Sequence, residues 1–461
     1  MDRGRVSKPG RGDDVTQAPV DIGKMLDRAR WGGYSKWLVS MVAMTIIFDG
    51  IDNQLLGIVI PTVMAEWSVP RSAFAPVVSL GYLGMMVGGA IAGVAGDRYG
   101  RRTALLGSMV VFGVMTLWTA FVHDTTFMAM LRLLAGLGLG GAMPNAAALA
   151  AEYVPIRQRP IAVTVTIVCV PLGATLAGLM GIRLLPVLGW RTLFVLGGVV
   201  PVIAAVILRV LMPESPRYLA RHPSRSGELT SLLRRLGHQV DEGATFIDPA
   251  ERRARVSLGT LFQPEFRRDT LALWGAFFSC LLSVYLGFSW LTTLLTGAGF
   301  DPARANTGIT VFNLGGVAGA LLGGYVISRL GSRVSMLAMS AGAVGCAAAL
   351  SMMDIGPTGA VVQLFVLLTL TGALINGVQT TMFALAAHVY PSAVRATGVG
   401  TAVSFGRSGA ILTGYLGPWA IGLGGSASYF AVISAMMAST FVALALVRRH
   451  VPATQPIDST P

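Results

Sequence analysis

Apolar runs long enough to cross a bilayer alternate with short polar breaks along this chain. They lie near residues 37–60, 73–96, 103–122, 127–150, 160–182, 191–211, 270–296, 305–328, 334–353, 360–386, 396–420 and 427–447. A helix of about 20 residues crosses the roughly 30 Å hydrocarbon layer. Backbone groups in lipid must be satisfied within their own segment, so separate runs of this length predict helices rather than a barrel. The pattern therefore predicts an all-α polytopic membrane protein of twelve transmembrane helices in two six-helix bundles, residues 37–212 and 269–447. The polar stretch 213–268 between them is too short and polar for a sizeable core. It reads as a cytoplasmic linker carrying a short helix near Gly227 to Leu236, and residues 1–36 and 448–461 read as cytoplasmic tails.

Composition agrees. Apolar residues make up 53% and charged residues 12% of the chain, against roughly 25% charged in soluble domains, and the mean hydropathy is +0.66. The opening 36 residues are polar and basic and lack the apolar core and cleavage site of a secretory signal, which predicts a disordered tail. Of the Lys and Arg residues, 29 fall on the side of the N-terminus and four (Arg71, Arg183, Arg191, Arg304) on the other. That asymmetry predicts a multi-pass membrane protein with both termini in the cytoplasm. It also accounts for the +13 net charge through contact with the headgroups of the lipid bilayer, without a nucleic-acid partner. Cys169, Cys280 and Cys346 lie in apolar stretches, so no disulfide, metal or cofactor framework is expected. No constellation suited to an enzyme is present either.

Spanning a membrane does not require the two carboxylates of Phe48-Asp49-Gly50-Ile51-Asp52-Asn53-Gln54. Asp49 falls near the middle of the first span, and a three-residue spacing puts Asp52 on the same face. An ionised acid there costs at least about 3 kcal/mol unless it meets a partner, a proton or water. Both are therefore candidate proton carriers on a hydrated cavity. Arg407 lies at matching depth in span eleven and offers a fork of donors suited to a carboxylate. It can anchor an anionic substrate, pair with an aspartate across the cavity, or alternate between the two. Asn145, Tyr285, Trp290, Asn313, Asn376 and Gln379, near the centres of their spans, are further candidates for stacking on a ring or bonding a hydroxyl. Arg132 sits about five residues inside the outer end of span four, too shallow to share the midplane without a long reach, and reads as a relay or a structural brace.

The halves repeat. Gly93-Val94-Ala95-Gly96-Asp97-Arg98-Tyr99-Gly100-Arg101-Arg102 after span two has a counterpart in Gly323 to Arg333 after span eight. Tyr153-Val154-Pro155-Ile156-Arg157-Gln158-Arg159 matches Val389 to Arg395, with prolines and final arginines both 236 residues apart. Internal repeats point to a transporter with its site between the halves. Asp97, Arg98, Arg101, Arg102, Glu152, Arg159 and Arg395 form the candidate gating charges at the cytoplasmic end.

The Asp97 loop resembles the signature of the major facilitator superfamily. Arg132 with Gly136, Gly138 and Gly140 is similar to its fourth-helix motif, and Pro213-Glu214-Ser215-Pro216-Arg217 to the motif of sugar porters and organic-ion transporters. Within the superfamily, Asp49-Gly50-x-Asp52 with Gly57 resembles the aromatic acid:proton symporter family. So do Asn376-Gly377-Val378-Gln379, Arg395-Ala396-Thr397-Gly398 and Gly406-Arg407-Ser408-Gly409. The resemblance implies proton-coupled import of a small aromatic carboxylate such as a benzoate or hydroxybenzoate by alternating access, performed by a monomer. A proton-coupled sugar, polyol or other organic-ion porter and a proton-driven exporter are the alternatives.

Overall fold

The structure is a computed structural model, and it describes residues 20–27, 31–240, 245–247, 258–391 and 394–452. The remaining parts of the expected tails and linker lie outside the described residues.

Six membrane-crossing helices come first: α1 Gly33–Trp67, α2 Ala75–Tyr99, α3 Arg101–Thr119, α4 Thr125–Glu152, α5 Arg159–Arg183 and α6 Leu185–Leu211. They are followed by α7 Arg267–Gly297, α8 Pro302–Leu330, α9 Ser332–Met352 and α10 Val361–Val389. The helical run Arg395–Leu446 has 52 residues, about twice what one crossing needs, and breaks at Gly424 and Gly425. It forms α11 (395–423) and α12 (426–446), so twelve crossings stand among the described residues. Gly425 has φ +60°, a value glycine adopts without the penalty a Cβ would bring.

Several boundaries have local causes. Asp124 and Asp301 cap α4 and α8 by accepting the amides of Phe127 at 2.8 Å and Arg304 at 3.0 Å, each satisfying a donor that the first turn leaves unpaired. α2 turns into α3 through Gly100 (φ +102°) and α8 into α9 through Gly331 (φ +78°), so the repeat read in the sequence is also present in the backbone.

Within the first half α2 packs on α4, α1 on α5 and α3 on α6. In the second half α8 packs on α10, α7 on α11 and α9 on α12. The glycine runs make these approaches close. A Cβ at Gly136 or Gly140 would strike the α2 carbonyls of Gly81 and Met85, and one at Gly315 or Gly319 the α10 carbonyls of Thr369 and Ala373. Close backbone contact of this kind takes the place of the hydrophobic drive that lipid does not supply. The outward faces are apolar, with Ile91, Val206, Val210, Leu322 and Leu423 exposed, as a lipid-facing surface requires.

The halves meet along α1–α7, α2–α11 and α5–α8. Among the described residues, every hydrogen bond between them lies from the level of Arg407 toward the end opposite the termini. They include Gln54 to the Phe288 carbonyl (2.8 Å), Asn313 to Gln54 (3.0 Å), Ser79 to the Ile411 carbonyl (2.7 Å), Tyr82 with Ser289 (2.8 Å), Asn53 with Tyr285 and Arg407 to the Met85 carbonyl. The molecule is fastened at that end.

The polar segments carry more structure than their composition suggests. The expected linker helix is present as Ser226–Arg235, and Leu229, Leu232 and Leu233 are buried on one face of it. Residues 20–27, expected within a disordered tail, are ordered instead. Val20–Asp21 pairs in parallel with Phe246–Ile247, and helix Ile22–Asp27 buries Ile22 and Leu26. The physical reason is the apolar pair at i and i+4, which lies on one helical face and gains by burial.

Candidate functional site

Asp49 and Asp52 stand near the middle of the 35-residue α1, and both are buried. Two glycines of the same stretch bring α1 close to its neighbours. A Cβ at Gly50 would strike the Val170 carbonyl of α5, and one at Gly57 the Phe288 carbonyl of α7. The acids therefore ride on a helix held tightly to its own half by one glycine and to the other half by the second.

The two carboxylates are treated differently. Asp52 accepts a short hydrogen bond from the Thr116 hydroxyl of α3 and faces Arg132 Nη1 at 3.4 Å. Arg132 Nη2 donates to Thr116 at 2.9 Å and Thr119 at 3.0 Å, and its guanidinium lies 5.3 Å over the Phe194 ring. Arg132 thus makes the long reach that sharing this depth requires. As the eighth residue of α4 it extends its long side chain to the depth of Asp52, and both ends of the pair are buried. Asp49 has no such partner: its Oδ1 is buried without a hydrogen bond.

Arg407 donates to the Met85 carbonyl of α2 and lies against Gly89. Its charge acts on Asp49 and on Tyr285, yet among the described residues it forms no ion pair. Most of its fork of donors is available to an anion. Tyr285 stands between the two levels. Its ring meets Tyr82 of α2 at 4.5 Å and Phe288 at 5.8 Å. Beside them a cavity of about 30 Å³ is lined by Asp52, Asn53, Tyr82, Met85, Arg132 and Ser289, among others. That volume suits a water or a single hydroxyl, and is far below the cavity of about 150 Å³ that takes up a benzene ring.

The remaining sequence candidates divide. Asn313 joins the fastening between the halves through Gln54, leaving its Oδ1 buried and unpaired. Asn145 does not reach the acids. Seven residues from the end of α4, it donates to the Ala92 and Gly141 carbonyls at 3.1 and 2.9 Å and accepts from Arg101 at 3.4 Å. Trp290 is also committed elsewhere. Fully buried, it donates to the Thr413 carbonyl at 2.9 Å and fills the space left by Gly417, so it wedges α7 against α11. Asn376 returns to the Gly372 carbonyl at 2.9 Å and packs on Gly316. Gln379 is half-buried, with no hydrogen bond among the described residues.

The gating charges gather only in part. Asp97 binds Arg101 at 2.5 Å, Glu152 accepts from the Ser215 hydroxyl, and these residues surround a small pocket with Arg217 and Tyr218. Arg102 lies deeper. Its amide and that of Thr103 donate to the buried Glu214 at 2.8 and 3.3 Å, and its Nη1 to the Met212 carbonyl at 2.8 Å. Glu214 thus supplies a negative charge at the N-terminus of α3, where the orphan amides and the helix dipole favour one. Arg159 departs from the expected cluster, since Asp27 of the ordered N-terminal helix holds it at 2.5 Å. Arg98 stacks on Tyr99, and Arg395 turns to the Tyr390 carbonyl at 3.3 Å. Among the described residues no ion pair joins this set to the second half, as befits a molecule fastened at its other end.

The family model of the Major Facilitator Superfamily matches residues 42–414 and 273–461. The chain belongs to that superfamily. It is a membrane transporter rather than an enzyme. Among curated members, the gallate transporter of Pseudomonas putida is 34% identical over 88% of this chain and 90% of its own length. The 4-hydroxybenzoate transporter PcaK of the same organism is 33% identical over 89% and 93%. The resemblance drawn from the first-span acids thus leads to the same relatives as whole-chain comparison. Among solved structures, the xylose transporter XylE from E. coli in its inward-open conformation superposes with a TM-score of 0.71 at 16% identity, covering 92% of this chain and 98% of that one. This likeness is one of fold.

Proposed function

We propose that this facilitator imports a small aromatic carboxylate together with protons across the bacterial inner membrane, as a monomer with both termini in the cytoplasm. Gallate and 4-hydroxybenzoate transporters similar along most of the chain support the substrate class. The observation that carries the coupling is the division of charge at the membrane centre: a buried, unpaired Asp49, a neighbouring Asp52 shared between Thr116 and Arg132, and an Arg407 free of any ion pair among the described residues.

Charge balance gives the cycle. A carboxylate and a proton cross together without net charge, whereas either alone works against about 2.3 kcal/mol per 100 mV. The anion binds Arg407 while the proton goes to the aspartates of α1, and with both loaded the chamber holds no unpaired charge as the halves rock. A proton on Asp52 weakens its hold on Arg132, and a substrate on Arg407 draws it from the Met85 carbonyl of α2. The second event loosens the contact between first-half and second-half elements, and the first frees Arg132 within the first half. The charges of the Asp97–Arg101–Glu152 set close the cytoplasmic end in the opposite conformation. Exposed pairs of this kind contribute at most about 1 kcal/mol each, and that weakness suits a gate that must reopen.

Purified protein in proteoliposomes, given an inward pH gradient, accumulates labelled 4-hydroxybenzoate and not hexose. Preference for hexose would overturn the proposal. Arg407→Gln keeps hydrogen-bonding capacity without charge, and lowers the apparent affinity for the acid about 10- to 100-fold, equivalent to a charge-assisted hydrogen bond. The measurement is competition by unlabelled acid.

A further inference from the structure

The small cavity is shared between the halves, and beside the Asp52–Arg132 pair it carries uncharged groups that hydrogen-bond. Tyr82 of α2 and Ser289 of α7 place their hydroxyls 2.8 Å apart across the interface. Asn53, one turn beyond Asp49 on the same face of α1, lines the same space with Asp52 and Arg132. The rings of Tyr82 and Tyr285, one from each half, pack at 4.5 Å with an interplanar angle of 56° directly beside it. Met85, one turn from Tyr82 along α2, both lines this cavity and offers the carbonyl that Arg407 binds.

The Tyr82–Ser289 hydroxyls, the aromatic pair and the guanidinium of Arg407 follow one another along α2 in the order hydroxyl, ring, cation. A ring acid with a hydroxyl remote from its carboxylate has the same order of groups. We infer that Tyr82 and Ser289, with Asn53, are the specificity-determining residues that read a ring hydroxyl, so that the transporter prefers a 3- or 4-hydroxylated aromatic acid oriented carboxylate toward Arg407 and hydroxyl toward the outer closure. This inference rests on the aromatic-acid reading above and adds the orientation and the hydroxyl requirement.

The volume supports it. About 30 Å³ admits a hydroxyl and excludes the ring, which lies against Tyr285 and Tyr82 below. When a hydroxyl enters, the Tyr82–Ser289 hydrogen bond is exchanged for bonds to the substrate, and the two halves remain bridged through the ligand. An unsubstituted benzoate leaves the Tyr82–Ser289 bond in place and gains nothing from it, so the hydroxylated acid is favoured by the additional hydrogen bonds it makes.

The test compares initial uptake of 4-hydroxybenzoate and benzoate by the full-length protein in proteoliposomes, for wild type, Tyr82→Phe and Ser289→Ala. The expected wild-type preference for 4-hydroxybenzoate falls about five- to tenfold in either variant, read as the ratio of apparent affinities so that a general change in closure cancels. Should one variant not be recovered in folded form, the other carries the same readout. An unchanged ratio, or a wild type that prefers benzoate, overturns the inference while leaving aromatic-acid transport intact. Uptake of neither acid by wild type overturns the parent reading instead.

Discussion

Arg132→Met is expected to abolish proton-driven accumulation, by at least about 100-fold, and to destabilise the protein. Methionine fills the space of the arginine stem but leaves Asp52 at the membrane centre with Thr116 alone. Removing one member of a buried ion pair typically costs about 3–5 kcal/mol, because the remaining charge is buried without compensation. The acid then either keeps its proton through the whole cycle, which ends coupling, or disrupts the packing of α1 on α3 and α4. Adding Asp52→Asn to Arg132→Met removes the uncompensated charge. The double variant should recover yield and thermal stability in detergent, and substrate exchange, without recovering accumulation. Stability recovered together with accumulation would show that the pair is a brace and nothing more.

Gly57→Leu should slow transport about 10- to 100-fold by a different route. A Cβ at this position strikes the Phe288 carbonyl and comes within 3.2 Å of Ser289 Cα, at the crossing of α1 and α7 where the halves are fastened. Backbone cannot step aside as a side chain can, and overpacking of this kind costs about 1–3 kcal/mol or more. The closed form of the outer end is penalised and its open form is not. A cysteine placed at buried Thr292, one turn beyond Phe288, should therefore react faster with an external maleimide in the Gly57→Leu background. Gly107 has nothing within 4 Å of a built Cβ, and Gly107→Ala serves as the neutral comparison.

How much of this was visible in the sequence depends on which interaction governs each feature. Helix count and order were legible because each segment in lipid must pair its own backbone, so the apolar pattern alone carries the information. Boundaries moved by a few residues, as with α1 starting at Gly33, because the flanking polar residues continue the helix into the interface. Asp49, Asp52 and Arg407 were legible because a charge in hydrocarbon is too costly to be incidental. Hydroxyls and amides are cheaper, and for them depth alone did not decide the matter. Asn145 and Trp290 lie on faces turned to neighbouring helices, and rotation about the helix axis is set by packing. Tyr82, Ser289, Thr116 and Gln54 escaped notice for the same reason. Whether Arg132 makes its long reach was not legible, because helix tilt and side-chain extension add to depth along the axis. Glu214 stood in a quoted motif, but its position against the amides of Arg102 and Thr103 is a tertiary fact. Ile22 and Leu26 gave a helical signal within a polar tail, and that signal was the one to follow.

The central claim is that the acids of α1 carry the proton that drives uptake. It is tested most directly by Asp52→Asn in proteoliposomes loaded with unlabelled substrate or with buffer. The account predicts that this variant still exchanges labelled for unlabelled 4-hydroxybenzoate but no longer accumulates it under an inward pH gradient. Accumulation equal to wild type would remove Asp52 as the coupling site, and the same outcome for Asp49→Asn as well would contradict the account.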